Sequence, residues 1–148
     1  MKELIQLAAA TIGSFGFAAL FNIRGKKLAV ATFGGFFAWA VYLVSACFAK
    51  NPYLCGFVSS VMLTLYAECM ARVHKTPVTV FLVAAAIPLI PGAALYRTMS
   101  CLMSEDWIGM RKESTYALLF AASMSAGITI TTLIFRAVWK QLYHQRRM

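Results

Sequence analysis

Two prolines three residues apart, followed directly by a glycine, have the clearest chemical consequence of any segment in this sequence. Pro88, Pro91 and Gly92 interrupt a long apolar run. Proline removes a backbone donor and clashes with the carbonyl four residues earlier, so we expect the helix to break between Ile87 and Gly92. Pro91 suits the start of a second half-helix, whose free N–H groups and positive dipole end would favour a carboxylate. The alternative is a proline kink that only shapes packing.

The expected depth of this break gives it a second meaning. A rise of about 1.5 Å per residue, counted from Thr76, places the break near or just beyond the middle of a bilayer. Irregular backbone at that depth is tolerated only inside protein or along a wet cavity. Secondary transporters often build their substrate sites from helices interrupted in this way.

Glu68 is the only acidic residue inside a predicted membrane span. A charged side chain at the centre of a bilayer helix costs roughly 2.5–3.5 kcal/mol on insertion scales, but Glu68 lies one turn before Arg72, near the end of its span. One interpretation is an i,i+4 ion pair at the interface, worth a few tenths of a kcal/mol. The other is a proton or cation relay coupled to transport, and the sequence leaves both open.

Three further polar residues are candidates for a solute pathway, each with a simpler explanation. Arg97, about two turns beyond the break, either extends to the headgroups or turns inward to bind a carboxylate through two hydrogen bonds. Tyr96 is either an interfacial aromatic residue or a hydroxyl on the pathway. Asn22, at the end of the first span, either contributes to the pathway or only caps the helix and forms a turn.

The other reactive side chains do not form a recognisable metal or catalytic site. The four cysteines contain no CxxC pair, and neither histidine stands at ligand spacing from them, so we expect them to pack as small hydrophobes. The sequence has no GxxxxGK[ST] loop, GxSxG elbow or HExxH helix. We therefore expect no metal, no cofactor and no enzymatic activity.

The elements that would position these residues are membrane helices. Of the 148 residues, 61% are hydrophobic and 13% are charged, whereas a soluble domain is roughly half apolar and a quarter charged. About 20 helical residues cross a bilayer, and the long continuous apolar runs do not show the alternation of a β-barrel. We predict one all-α integral membrane domain of about five spans, at residues 4–23, 28–49, 53–71, a discontinuous 76–103, and 114–135.

The distribution of positive charge predicts the orientation. Nine of the 14 Lys and Arg residues fall on one side of this topology and five on the other, which places the N-terminus outside and the C-terminus in the cytoplasm. Residues 136–148 then form a basic cytoplasmic tail. Anionic lipid accounts for its charge, and we expect no nucleic-acid partner.

Four stretches of this sequence, together with Tyr96 and Met99, resemble the threonine/serine exporter family, specifically its small subunit. That subunit corresponds to the C-terminal half of the fused exporters. The stretches are Gly16–Asn22, Glu68–Arg72, Lys75–Phe81 and Ala86–Gly92, and the fit in order and spacing extends over roughly residues 10 to 135.

The resemblance implies a two-component transporter of the bacterial inner membrane. Its other component would be a larger membrane subunit of the same family, related to this chain as an inverted half. Family substrates are small and bear a carboxylate, such as threonine, serine or a dicarboxylate like succinate, and family transport is regarded as driven by the proton gradient. The resulting hypothesis is a subunit of a secondary exporter that works by alternating access, and the alternative is a scaffold or assembly subunit that does not transport.

Overall fold

Six α-helices form from the long apolar segments of the chain. The computed structural model describes residues 1–145 and contains no strand in that range. The helices are α1 (Lys2–Leu20), α2 (Lys26–Phe48), α3 (Pro52–Val73), α4 (Val78–Ala86), α5 (Gly92–Met103) and α6 (Trp107–Gln145), with a 3₁₀ turn at Ile87–Leu89. Both the all-helical class and the interruption of the fourth predicted span are confirmed.

Four of these helices are long and apolar enough to cross a membrane. They are α1, α2, α3 and α6, and a fifth span exists if α4 and α5 are counted together as one bent element. The axis bends by 54° between them. The described residues thus agree with about five spans, one of which is discontinuous, while the orientation of the bundle stays a prediction.

Helix α3 lies at the centre of the bundle and packs against α2, α4 and α6. Its buried positions recur about every fourth residue and are mostly small or hydroxyl-bearing, which lets neighbouring helices approach closely. They include Ser59, Leu63, Ala67 and Ala71. The helix begins at Asn51, whose side-chain oxygen accepts a hydrogen bond from the Tyr53 N–H at 3.0 Å.

Three helices end in the same way, with a non-glycine residue in the left-handed region. Asn22, Lys75 and Glu105 have φ values of 58°, 49° and 59°. In each case the next residue donates its N–H to a carbonyl five positions earlier, such as Ile23 to Ala18 at 3.0 Å. This Schellman arrangement satisfies free carbonyls at the helix end and reverses the chain after α1, α3 and α5.

Helix α6 is longer than a membrane span requires. Its 39 residues extend for roughly 58 Å at 1.5 Å per residue, against a hydrocarbon core of about 30 Å. The predicted fifth span and the first part of the predicted basic tail therefore belong to one helix. Arg136 and Lys140 on that extension are exposed, whereas Arg146 and Arg147 lie outside the described residues.

Candidate functional site

The backbone at the break between α4 and α5 leaves few free donors. Pro88 and Pro91 carry no N–H. Ile90 donates to the Ile87 carbonyl at 3.1 Å, and Gly92 donates to the Ile90 carbonyl at 2.7 Å. The sequence predicted several free N–H groups at the start of the second half-helix, and the structure corrects this because the Gly92 donor is used locally.

One amide at the start of α5 is still available. Ala94 and Leu95 both donate to the Pro91 carbonyl at 3.1 Å. Within residues 1–145, no backbone acceptor pairs with the N–H of Ala93. Ala93 is exposed, so this donor and the positive end of the helix dipole both face open space.

A cleft of about 180 Å³ opens beside the break, and we call it the break cleft. The break supplies one wall, α5 a second, and α2 and α6 the others. The contributing residues are Pro88–Ala94 and Arg97, together with Trp39 and Tyr42 of α2 and Tyr116 and Phe120 of α6. The space suits a small metabolite, because pockets for drug-sized ligands are larger, about 300–1,000 Å³.

Arg97 is held at one edge of the break cleft. Its Nε donates to the Ala93 carbonyl at 3.3 Å, and its Nη1 lies 3.6 Å from the Glu113 carboxylate of α6. The Arg97 side chain is still 60% exposed. It therefore retains donors for a second carboxylate, and the long contact to Glu113 sets its direction without neutralising it fully.

An aromatic wall stands opposite the break. The Trp39 ring stacks on Tyr42 at 5.1 Å, and Tyr42 and Tyr116 both pack on Phe120, at 6.2 and 6.1 Å. The indole Nε1 of Trp39 is buried and has no hydrogen-bond partner in the described chain. A buried donor without a partner costs about 1–3 kcal/mol, so the Trp39 N–H is an unsatisfied polar group within this wall.

Two adjacent glycines on α2 allow the break to sit this close. A Cβ on Gly35 would overlap Ser14 of α1 and lie 3.6 Å from Pro88 Cγ, and a Cβ on Gly34 would lie 2.8 Å from the Ala85 Cβ of α4. Close helix approach through glycine is common in membrane bundles.

Three of the predicted site residues do not line the break cleft. Tyr96 is 74% exposed and lies about 100° around α5 from Arg97, because successive helical residues are separated by that angle. Asn22 closes the Schellman turn after α1, and its side-chain oxygen accepts a bond from Arg24 Nε at 2.8 Å. Glu68 belongs to α3, and no residue of that helix lines the cleft.

Glu68 instead forms a buried ion pair. Its side chain is 2% exposed, and its Oε2 lies 2.5 Å from Arg72 Nη1. The Arg72 guanidinium also covers two rings of α6, at 4.3 Å from the Phe135 centroid and 4.6 Å from that of Trp139. The i,i+4 pair is confirmed, its carboxylate is buried within the protein, and Arg72 joins α3 to α6 through cation–π contacts. Its position relative to the membrane interface stays a prediction.

Four cleft residues were not identified from the sequence: Trp39, Tyr42, Tyr116 and Phe120. The stretches around Trp39, Tyr42 and Phe120 are apolar on nearly every face, so hydrophobic periodicity does not separate the lipid-facing side from the cleft side. The available signal was the cluster of aromatic residues on α2 and α6 that are neither at the helix ends nor paired with a charge.

Comparison with known proteins gives one clear match. The family model described as Threonine/Serine exporter, ThrE, matches residues 6–134. This range includes the break, Arg97 and every residue that lines the break cleft. No solved structure matches the chain.

Proposed function

The chain belongs to the threonine/serine exporter family, and from this premise we propose that it is one half of a two-component secondary exporter of small carboxylate-bearing solutes. A transporter role follows from the family itself. The further elements of the proposal are a larger homologous partner, alternating access between the two halves, and a location in the bacterial inner membrane.

The observation that carries the proposal is that the break cleft is lined by two residues with free donors, Ala93 and Arg97, and by Trp39, whose buried indole N–H has no partner in the described chain. A carboxylate can accept hydrogen bonds from the Ala93 amide and the Arg97 guanidinium, and the aromatic wall would contact the rest of a small solute. Threonine, serine and succinate all have the required group and a suitable size.

The exposure of the cleft supports a partner. Gly92 and Ala93 are exposed on the surface of this chain, and a free amide facing acyl chains costs several kcal/mol. Protein or water must therefore cover this face of α5 in the membrane. A larger homologous half would cover this face and enclose a solvated site, because inverted halves of transporters enclose a substrate site between them.

Gly92 offers the most direct test of the binding site. A Cβ at this position would meet no atom within 4 Å, so Gly92→Ala should fold and transport. Gly92→Leu adds a bulky side chain at the mouth of the break cleft, and we expect it to reduce export of labelled threonine, serine or succinate at least tenfold at equal protein abundance. Cells would express this chain, the larger subunit, both, or neither.

Each result has a defined meaning. Export by this chain alone would contradict the two-component proposal. Full export by Gly92→Leu at normal abundance would favour the scaffold alternative, in which the cleft has no transport role.

Arg97 provides a second test of the same site. Loss of a charge-assisted hydrogen bond costs about 1.5–3 kcal/mol, and the exposure of Arg97 places it at the lower end. We therefore expect Arg97→Gln to raise the apparent KM about tenfold and Arg97→Lys to raise it less. Lys50→Gln removes a charge from an exposed loop away from the cleft and serves as the control.

Glu68 is the proposed coupling group. Its burial and its link through Arg72 to α6 would let a change at the carboxylate alter the packing of two helices. We expect Glu68→Gln to abolish export against a solute gradient while retaining exchange of labelled for unlabelled solute. Equal loss of both activities in a folded variant would assign Glu68 to structure.

A further inference from the structure

A second and larger cleft lies at the end of the bundle where α3 and α6 begin. Its volume is about 910 Å³, and it is lined by Tyr53 of α3 and by residues 107–116 of α6, except Gly109 and Glu113. Arg111 and Lys112 supply positive charge, and both are exposed. We call this cleft the basic vestibule.

No acidic side chain lines the basic vestibule, although three lie nearby in the described chain. Asp106 accepts a hydrogen bond from the Gly109 N–H at 3.0 Å and so caps α6. Glu113 faces Arg97 at 3.6 Å, and Glu105 occupies the turn before α6. The vestibule therefore presents two cations and is suited to an anion.

Tyr116 is the one residue that lines both the basic vestibule and the break cleft. On the vestibule side its ring lies 5.7 Å from the Tyr53 ring, and on the other side it lies 6.1 Å from the Phe120 ring. Tyr116 thus borders both spaces, with its ring packed between those of Tyr53 and Phe120. A tyrosine ring can rotate about its χ1 angle without movement of the helix that carries it.

We propose that the basic vestibule is the outer mouth of the transport pathway and that Tyr116 is the gate between it and the break cleft. The solute passes from Arg97 past the Tyr116 ring to Arg111 and Lys112, where a carboxylate meets positive charge before it reaches bulk water. This inference rests on the proposed export function, and the prediction that the N-terminus is outside places the vestibule on the outer face.

The charge of the vestibule can be tested without transport. In intact cells expressing both subunits, Thr115→Cys is introduced into a variant with its four native cysteines replaced. Thr115 is exposed in the vestibule. Two membrane-impermeant thiol reagents are compared, an anionic sulfonate and a cationic trimethylammonium compound. We expect the ratio of their reaction rates, anionic to cationic, to be about five times higher with Arg111 and Lys112 present than in the Arg111→Gln/Lys112→Gln background. Two screened unit charges at about 7 Å produce a ratio of this size.

The gate is tested with the same reagents at Ala93→Cys, beside the break, in cells that express both subunits, so that the larger subunit covers the exposed face of α5. We expect Tyr116→Ala to raise the labelling rate at least tenfold, because the proposed gate is removed. Leu118→Ala, on an exposed position of the same helix, is the matched control and should leave the rate unchanged. An equal rate with and without the Tyr116 ring would overturn the gate.

The failure of this inference is distinguishable from failure of the proposed function. Labelling of Thr115→Cys only in inside-out vesicles, or an unchanged reagent ratio in the double variant, would refute the outer vestibule even if export is intact. Absence of solute export from cells with both subunits would refute the function, whereas the labelling results would still report whether the gate and the charge exist.

Discussion

Substitution of Gly34 by alanine tests how α2 fixes the position of the broken helix. The added Cβ would lie 2.8 Å from Ala85 Cβ and 2.9 Å from Tyr66 Cε1, whereas carbon atoms pack best at about 3.5–4.0 Å. Ala85 Cβ cannot rotate away, so α2 and α4 must separate by roughly 0.7 Å or more. Overpacking of this kind costs about 1–3 kcal/mol.

A hydrogen bond increases the expected effect. The Tyr66 hydroxyl donates to the Val30 carbonyl at 2.8 Å, and displacement of the ring would weaken that bond, which is worth about 1 kcal/mol. Gly34→Ala should therefore lower the free energy of unfolding by roughly 2–4 kcal/mol. Ala85→Gly in the same chain should recover about half of the loss, since it removes one of the two overlaps.

The assay is equilibrium unfolding in mixed detergent micelles, followed by tryptophan fluorescence. Gly13→Ala is the control, because a Cβ there meets nothing within 4 Å, and its effect should stay within about 0.5 kcal/mol. The reasoning is refuted if Gly34→Ala and Gly13→Ala unfold alike, or if Ala85→Gly adds to the loss instead of compensating for it.

The same unfolding assay checks two further predictions. Arg72→Gln should destabilise the protein more than Glu68→Gln, by up to about 3 kcal/mol, because it leaves a buried carboxylate unpaired. Glu68→Gln leaves Arg72, which is already 28% exposed in the intact pair and contacts two rings of α6. The opposite order would contradict this account of the pair. Lys75→Gly should stabilise the protein by about 1 kcal/mol, since glycine adopts positive φ without strain. Asn22→Gly is the comparison at a second position with positive φ, and it should change stability by only a few tenths of a kcal/mol. A loss of stability in Lys75→Gly would argue against the left-handed turn.

Local rules were sufficient to predict the break. Proline acts on its own helix through a missing donor and a clash with a nearby carbonyl, so Pro88 and Pro91 determine the interruption whatever surrounds them. The family match covers the same segment. The position of the break along the chain could therefore be read from the sequence before any contact was known.

The other walls of the break cleft depend on contacts between distant segments. Trp39 and Phe120 are 81 positions apart, and both lie in stretches that are apolar on nearly every face, so no pattern in the sequence pairs them. Lipid and protein interior are equally apolar surroundings for such a face. Burial of Glu68 was missed for a similar reason, because it depends on how other helices pack against α3.

The composition of the break explains why its free backbone donors are concentrated at one point. An interruption built from glycines alone would add free N–H groups at each position, and each would need a partner inside the membrane. Pro88 and Pro91 have no donor, and the N–H groups of Ile90 and Gly92 are used by carbonyls within the break. The helix thus changes direction by 54° while the Ala93 amide is left free beside the break cleft. The proposed ligand would accept a hydrogen bond there because no backbone acceptor competes for the Ala93 N–H within the described residues.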